Sequence, residues 1–450
     1  MMPEHALDRT ARLIRMDLFP GEVSISQIID GLQRTTVLIR ADEANLSSPN
    51  GQTALCALFG QIAMMGIGIS LDIPDVPLLI AQPPLKGTRL RTALLGYAND
   101  LIPGSRYGTE LQNIDLSFAL GDTATDDLDA VRVTGRDWSC AIGSARQTPP
   151  RRWQSTWPIG AMLAAAAAAP EALRIAITRI ASTTGFEPTQ EFRTSPGLPA
   201  RIDLSSRAIP PGHLDLGHVD IISGGAITNA TIYALLRIPG LSGLLRVIEP
   251  ETLDLTNLNR YPLARYSDLG QAKASVLEGY SRNGLQVSGI QGRFDDSWPS
   301  LLGGLAPRVL IGADQIPARW AVQRAAPPWL QVSGTSHFLT MSSSHHPEGP
   351  CAGCAHPRDE QGDDPIPTIS FVSLWAGILQ TVDLLNDISG QESAGFYTIC
   401  SPFGLSGTRP LIRRKLTPAS NCPVPCRAAQ SHAATASTAV HEFSRRPAGR

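Results

Sequence analysis

The chain has 450 residues and a formal net charge of −2, with 42% hydrophobic and 17% charged residues. That length accommodates two or three domains, and the balance is that of a globular chain rather than a disordered one. The small charge gives no global field to draw nucleic acid or an anionic membrane, and no apolar run reaches the roughly 18 residues that span a bilayer. The start, Met1-Met2-Pro3-Glu4-His5, lacks a secretory pattern, so the cytoplasm is the expected compartment.

Residues 1 to 210 alternate strand-like and helix-like stretches. Thr35–Arg40 and Ile67–Leu71 read as strands on either side of an apolar helix over Gly51–Met65. Ile114–Leu120 and Ala130–Val133 read as later strands, and a long helix is expected from Pro158 to about Ile180. Its Ala161–Ala169 run, stopping at Pro170, reads as buried. This alternation argues for α/β architecture. No strong chemical motif stands out here, and Thr194–Gly212, with its Pro and Ser, is the expected linker.

The chain then changes character. Val219-Asp220-Ile221-Ile222 reads as a strand, followed by Gly224-Gly225 and a helical stretch over Ala226–Arg237. A break at Pro239-Gly240 leads to a second strand, Leu244–Ile248, which ends on Glu249. This is the plan of a dinucleotide-type βαβ unit. Glycines let phosphate approach the main chain, and the helix N-terminus offers free N–H groups. Glu249 is placed to accept hydrogen bonds from ribose hydroxyls. Against a strict G-x-G-x-x-G pattern only Gly225 is intact, with Ser223 and Thr228 at the flanking positions. On the turn alone, a buried parallel sheet without nucleotide is an equal reading.

Further motifs follow in order. Asn257-Leu258-Asn259-Arg260 lies eight residues beyond Glu249, and Lys273 closes Asp268-Leu269-Gly270-Gln271-Ala272-Lys273. A third apolar run, Arg308–Ala313, delivers Asp314, with Arg319 five positions on. A planar guanidinium, a mobile ammonium and a carboxylate at a strand's C-terminal end are the parts that a triphosphate and its magnesium need. Together, the set resembles the adenylation domain of the ubiquitin-activating-enzyme superfamily, the ThiF and MoeB group.

That resemblance implies an ATP-dependent adenylyltransferase. Its substrate would be the C-terminal carboxylate of a ubiquitin-like protein or sulfur carrier, activated as an acyl-adenylate, and a conjugating enzyme is a further candidate partner. Gly224, Gly225, Glu249, Asn257, Arg260 and Lys273 would bind ATP, with Glu249 on the ribose. Arg260, Lys273 and Asp314 would be catalytic, Asp314 through Mg2+. Tyr261 departs from the Gln that many relatives carry after the N-L-N-R box, and could reshape the phosphate pocket. Relatives also borrow an Arg from a partner's N-terminal helix; Arg9, Arg12 and Arg15 are available, and no motif selects among them. Since relatives work as dimers, or as one chain with an inactive adenylation-like half, residues 1–210 read either as such a half or as an unrelated α/β recognition domain. The assembly is then a homodimer or an intrachain pseudo-dimer.

The cysteines sort unevenly. Cys351/Cys354 and Cys422/Cys426 are close pairs, and four thiolates from two short loops form a closed structural zinc site. The resemblance implies the same Zn2+, although three residues separate the second pair where relatives have two. His345, His346 and His356 are possible substitute ligands. Thioester-forming relatives place a Cys between the first pair and the next helix, here Leu374–Leu385. The segment Ala355–Ser373 has none, and Gly362-Asp363-Asp364-Pro365 occupies the position. Cys56 and Cys400 fall in apolar runs, so adenylation without an obligatory enzyme thioester is expected.

The expected fold is α/β: a Rossmann-like ThiF-type adenylation domain with zinc over residues 211–426, preceded by a second α/β domain over 1–210. A disordered tail over 427–450 follows. Competing readings are peptide-carboxylate adenylation in peptide maturation and a catalytically impaired scaffold, which the degraded Gly turn favours. A nicotinamide oxidoreductase leaves the cysteine pairs and the Arg260, Lys273 and Asp314 set without a role.

Overall fold

The computed structural model describes residues 2–195, 199–204, 212–295, 297–359, 367–391, 394–403, 411–424 and 426–427. The chain opens on a helix that the sequence reading did not assign, α1 (Met2–Leu18). The first half then places α2 (Pro49–Met64) between β1 (Thr36–Arg40) and β2 (Gly68–Asp72). Next come β3 (Tyr107–Gly108), β4 (Leu116–Leu120), β5 (Val131–Arg136) and β6 (Ser139–Ser144), then α3 (Ile159–Thr184) and β7 (Ala200–Asp203). The expected linker therefore carries a strand: β7 pairs antiparallel with β6.

The second half repeats the plan. It runs β8 (Leu214–Ile222), α4 (Ala226–Leu235), β9 (Leu241–Ile248), β10 (Leu285–Ile290) and β11 (Arg308–Ile311). It continues through α5 (Ile316–Arg324), β12 (Trp329–Ser336), β13 (Leu339–His345), the short α6 (Ala352–Ala355) and α7 (Ser370–Ile388). β14 (Phe396–Cys400) and β15 (Leu411–Lys415) complete it. The first sheet has the order β3-β2-β1-β4-β5-β6-β7 and the second β10-β9-β8-β11-β12-β13-β14-β15. Each is parallel through its first five strands in sequence and antiparallel after them. Strand for strand the order is the same, so the chain is a mixed α/β fold built on two Rossmann-like sheets, as expected.

The halves share one hydrophobic core. α2 is buried along nearly its whole length, polar Asn50, Gln52, Thr53 and Gln61 included, and has no solvent stripe. The long helix α3 does not stop at Pro170 but continues to Thr184, where Gly185 closes it in the left-handed conformation at φ 77°. Proline at 170 removes the donor that would reach the Ala166 carbonyl four residues back. The indole Nε1–H of Trp375, on α7, donates to that carbonyl at 3.1 Å instead. Among the described helices only α3 is long and apolar enough to cross a bilayer, and 83% of its apolar window is buried within the fold.

Candidate active site

Register sets the site's floor. Ile222 of β8 stands level with Ile248 of β9 and Ile311 of β11, and Ile248 with Ile290 of β10. Their C-terminal ends form one rim, and the sheet reverses its direction of growth between β8 and β11, where open α/β sheets bind ligands.

At that rim Ser223 has φ 87°, the left-handed geometry that glycine adopts freely. The degraded glycine position is thus still a tight turn, at some strain. Ser223 Oγ accepts the Gly225 N–H at 3.1 Å, and its carbonyl accepts the Thr228 hydroxyl at 2.5 Å. Gly224 is required sterically, since a Cβ there would lie 2.9 Å from Glu249 Cγ. The Glu249 carboxylate, 4% exposed, accepts the Gly224 N–H at 2.5 Å and the Glu251 N–H at 2.9 Å. Burial raises its pKa above the usual range, against the pull of the Gly224 N–H and Lys273. This carboxylate ties the Gly turn to the end of β9.

The N-L-N-R segment begins on the last residue of a 3-10 turn (Leu255–Asn257), in which Asn257 Oδ1 accepts the Asp254 N–H at 2.9 Å. Arg260 is buried, its Nη1 donating to the Thr256 carbonyl at 2.5 Å and to Asn259 Oδ1 at 2.7 Å. Burial pushes its guanidinium down to about 10. Lys273 is buried too, its Nζ 2.5 Å from Glu251 Oε2. Burial alone would lower this ammonium, but Tyr261 and the Glu251 and Glu249 carboxylates outweigh it and raise its pKa. The ring of Tyr261 lies between the two cations, 5.2 Å from Arg260 Cζ and 5.6 Å from Lys273 Nζ. Its hydroxyl sits 3.7 Å from where a Cβ on Gly225 would lie, so Tyr261 stands beside the Gly turn.

Beside these groups opens a cleft of about 460 Å³, lined by Arg9, Glu251, Asp254, Thr256, Asn257 and Lys273 among others. Arg9 comes from α1 of the same chain and interacts electrostatically with Arg260, Glu251 and Asp254. Arg12 pairs instead with Asp8 at 2.7 Å, and Arg15 is exposed. Of the three arginines, Arg9 is the one that lines the cleft. Two further residues had no assigned role in the sequence reading. Glu251 was legible only as a second acid beyond the β9 end; Asn259 is fully buried and donates to Thr10 Oγ1 on α1 at 2.8 Å and to the Thr368 carbonyl at 3.1 Å.

Asp314 is exposed just past β11, and its carboxylate interacts with both Arg260 and Arg319. Arg319 is buried, and burial takes its pKa down to about 10. Arg260, Lys273 and Asp314, spread over more than fifty residues of chain, are thus brought to one rim.

Cys351, Cys354, Cys422 and Cys426 place their sulfurs within 4.8 Å of one another. The separations of 3.4 Å (Cys351–Cys422), 3.7 Å (Cys354–Cys426) and 3.9 Å (Cys351–Cys354) suit a tetrahedral zinc, whose bonds of about 2.3 Å set sulfurs roughly 3.8 Å apart. The longer second loop does not prevent convergence. The three histidines belong elsewhere: His345 bonds Ser343 Oγ and the Pro350 carbonyl, His346 the Pro328 carbonyl, and His356 Arg319. Cys56, Cys140 and Cys400 are buried, and burial pushes the first two up to about 12 and Cys400 well above its ordinary value. The stretch Gly362–Pro365 lies outside the described residues, as does nearly all of the tail.

Residues 36–187, from β1 through α3, match the family model described as BilD N-terminal domain. A curated relative, the uncharacterized protein y4jF of Sinorhizobium fredii, is 32% identical over 143 residues, covering 31% of this chain and 28% of its own length. The chain thus spans less than a third of that relative. Similar solved structures include E. coli MccB with ATP, at TM-score 0.39 and 17% identity, covering 48% of this chain and 67% of that one. The Microcin C7 biosynthetic enzyme MccB with N-formylated MccA has TM-score 0.39 and 14% identity, covering 66% and 97%.

Proposed function

We propose that this chain is an ATP-dependent adenylyltransferase that activates the C-terminal carboxylate of a peptide or small protein. The observation that supports the reading is a cleft lined by Arg9 and Lys273, with buried Arg260 in electrostatic reach of Arg9 and Asp314 and the Tyr261 ring near both Arg260 and Lys273. The substrate carboxylate would attack the α-phosphorus of ATP; the new C–O–P link forms as the bond to the β-phosphate oxygen breaks, and pyrophosphate leaves. Charge builds on phosphate oxygens, so fixed cations lower the barrier. In this reading Gly224 and Gly225 admit the phosphates, Glu249 meets the ribose, and Asn257, Arg260 and Lys273 hold the phosphate chain. Lys273 exchanges Glu251 for phosphate when ATP enters. A magnesium ion at Asp314 would neutralise the leaving pyrophosphate, and zinc in the cysteine cluster would be structural.

The first half reads as an inactive adenylation-like copy, so that residues 1–210 and 211–426 form a pseudo-dimer and Arg9 acts within its own chain. Its matching strand order supports this. So does the filling of its rim: buried Asn45 donates to Asp42, Asp122 and Thr123 where the second half has its Gly turn. As the isolated thiols are buried, the acyl-adenylate would pass to its acceptor without an enzyme thioester. A short peptide therefore fits the site as well as a ubiquitin-like protein does.

The test is exchange of labelled pyrophosphate into ATP, driven by a small ubiquitin-like protein or by a short peptide, each with a free or an amidated C-terminus. Exchange with the free carboxylate alone, falling at least about 100-fold in Asp314→Ala, is expected. Exchange absent with every free carboxylate would leave a scaffold. Cys400→Ser should leave both adenylation and transfer intact.

A further inference from the structure

We propose that the cysteine cluster positions the cation side of the nucleotide site, acting through His356 and Arg319; this rests on the adenylation reading above. Three contacts fasten the Cys351–His356 knuckle to α5, the helix that begins two residues beyond Asp314. The Ala352 N–H donates to Gln323 Oε1 at 3.0 Å, and Trp320 Nε1 donates to the His356 carbonyl at 2.9 Å. Arg319 Nη1 donates to His356 Nε2 at 3.1 Å, which assigns that ring nitrogen as the acceptor because a guanidinium only donates. The same guanidinium donates through Nε to the Ala313 carbonyl at 3.0 Å, so it grips the peptide immediately before Asp314.

The path is closely packed. Arg319 is 4% exposed, and a Cβ on Gly334 would come within 2.8 Å of its Nη2. A glycine inside a strand weakens it, and its use in β12 marks a backbone that leaves room for another group. Two of the three contacts hold His356 itself, by ring and by carbonyl. The cluster's chain-level effect is therefore to fix one imidazole, which fixes one guanidinium, which fixes the loop carrying the exposed carboxylate. His356 and Arg319 are positioning residues; neither is placed to touch the reacting atoms.

The test uses the zinc-loaded full chain and measures ATP binding as magnesium is titrated. In His356→Ala the magnesium needed for half-saturation should rise about tenfold, with magnesium-free ATP binding unchanged. His356→Gln, whose amide oxygen can accept the same Arg319 bond, should recover most of the loss. Bound zinc is assayed in each variant, and hydrogen exchange of the α5 amides should quicken in His356→Ala and in parent protein stripped of zinc. Wild-type magnesium dependence in zinc-loaded His356→Ala would overturn the proposal. So would a His356→Gln that retains zinc yet is as impaired as the alanine variant. If His356→Ala does not fold, the glutamine variant and the parent's exchange with and without zinc decide the matter. A parent that binds no Mg·ATP would sink the adenylation reading instead, and α5 protection unchanged on zinc removal would then overturn the linkage by itself.

Discussion

Trp375 and Ala166 meet across the two halves: an indole N–H closes on the carbonyl that Pro170 leaves without a helical donor. Both Trp375 and Ala166 are within 1% of full burial, so water cannot replace the bond. Trp375→Phe keeps most of the packing and strands the carbonyl, which should cost about 1–3 kcal/mol in urea unfolding. In a Pro170→Ala background the helix supplies its own donor, and the cost of Trp375→Phe should shrink by about 1 kcal/mol. Equal costs in both backgrounds would show that the bond does not compensate for the proline.

Ser223 offers a direct measure of strain at the nucleotide turn. Its φ of 87° is disfavoured for any residue with a Cβ by about 1–2 kcal/mol, while its Oγ accepts the Gly225 N–H. Ser223→Ala loses the bond and keeps the strain, whereas Ser223→Gly loses both. The glycine variant should therefore be more stable than the alanine variant by about 1 kcal/mol in chemical denaturation, less the glycine's own unfolded-state entropy. Alanine equal to or above glycine would mean that the turn relaxes without cost.

The second half was more legible than the first because it carries recognisable motifs at fixed spacings. Glu249 and Asp314 sit just past strand ends, the N-L-N-R box in a turn and Lys273 at the start of a short helix. The apolar runs of β1, β2, β4 and β5 were readable for the same reason that any buried parallel strand is. What the sequence hid is tertiary. Nothing local says that α1 packs against the N-L-N-R turn, so Arg9 could not be told from Arg12 or Arg15. Nothing local shows what satisfies the Ala166 carbonyl beneath Pro170, because the donor that reaches it lies more than two hundred residues away. The likeness of the halves was legible only as a possible degenerate copy, since the first half shares the strand order but not the motifs.

Asn259 links the first helix to the phosphate side of the site. It donates to Thr10 and to the Thr368 carbonyl while accepting from Arg260, so its loss leaves three buried groups short of a partner. Asn259→Ala should lower stability by about 2–4 kcal/mol and loosen α1, read as faster hydrogen exchange over residues 5–15. Arg9→Ala, which breaks no hydrogen bond in this network, should leave stability within about 0.5 kcal/mol and cut pyrophosphate exchange at least about tenfold. An Arg9→Ala chain with full exchange would remove α1 from the site's chemistry and leave it a structural brace.

His345 should make the fold acid-sensitive. It is 1% exposed, its ring bonded to Ser343 Oγ at 3.0 Å and the Pro350 carbonyl at 2.9 Å, and burial holds its pKa down to about 4 from 6.5. In the unfolded chain the imidazole takes up a proton near pH 6.5; in the folded chain it does so only near pH 4. The unfolded state therefore binds more protons across that window, and stability falls as pH drops through it. The contribution is complete above about pH 6.5, and its loss reaches on the order of 3 kcal/mol by about pH 4. Urea midpoints of the parent should decline steeply from about pH 7 to about pH 4.5, and His345→Gln, which cannot titrate, should flatten that decline. Parallel declines in parent and variant would place the acid sensitivity in other groups.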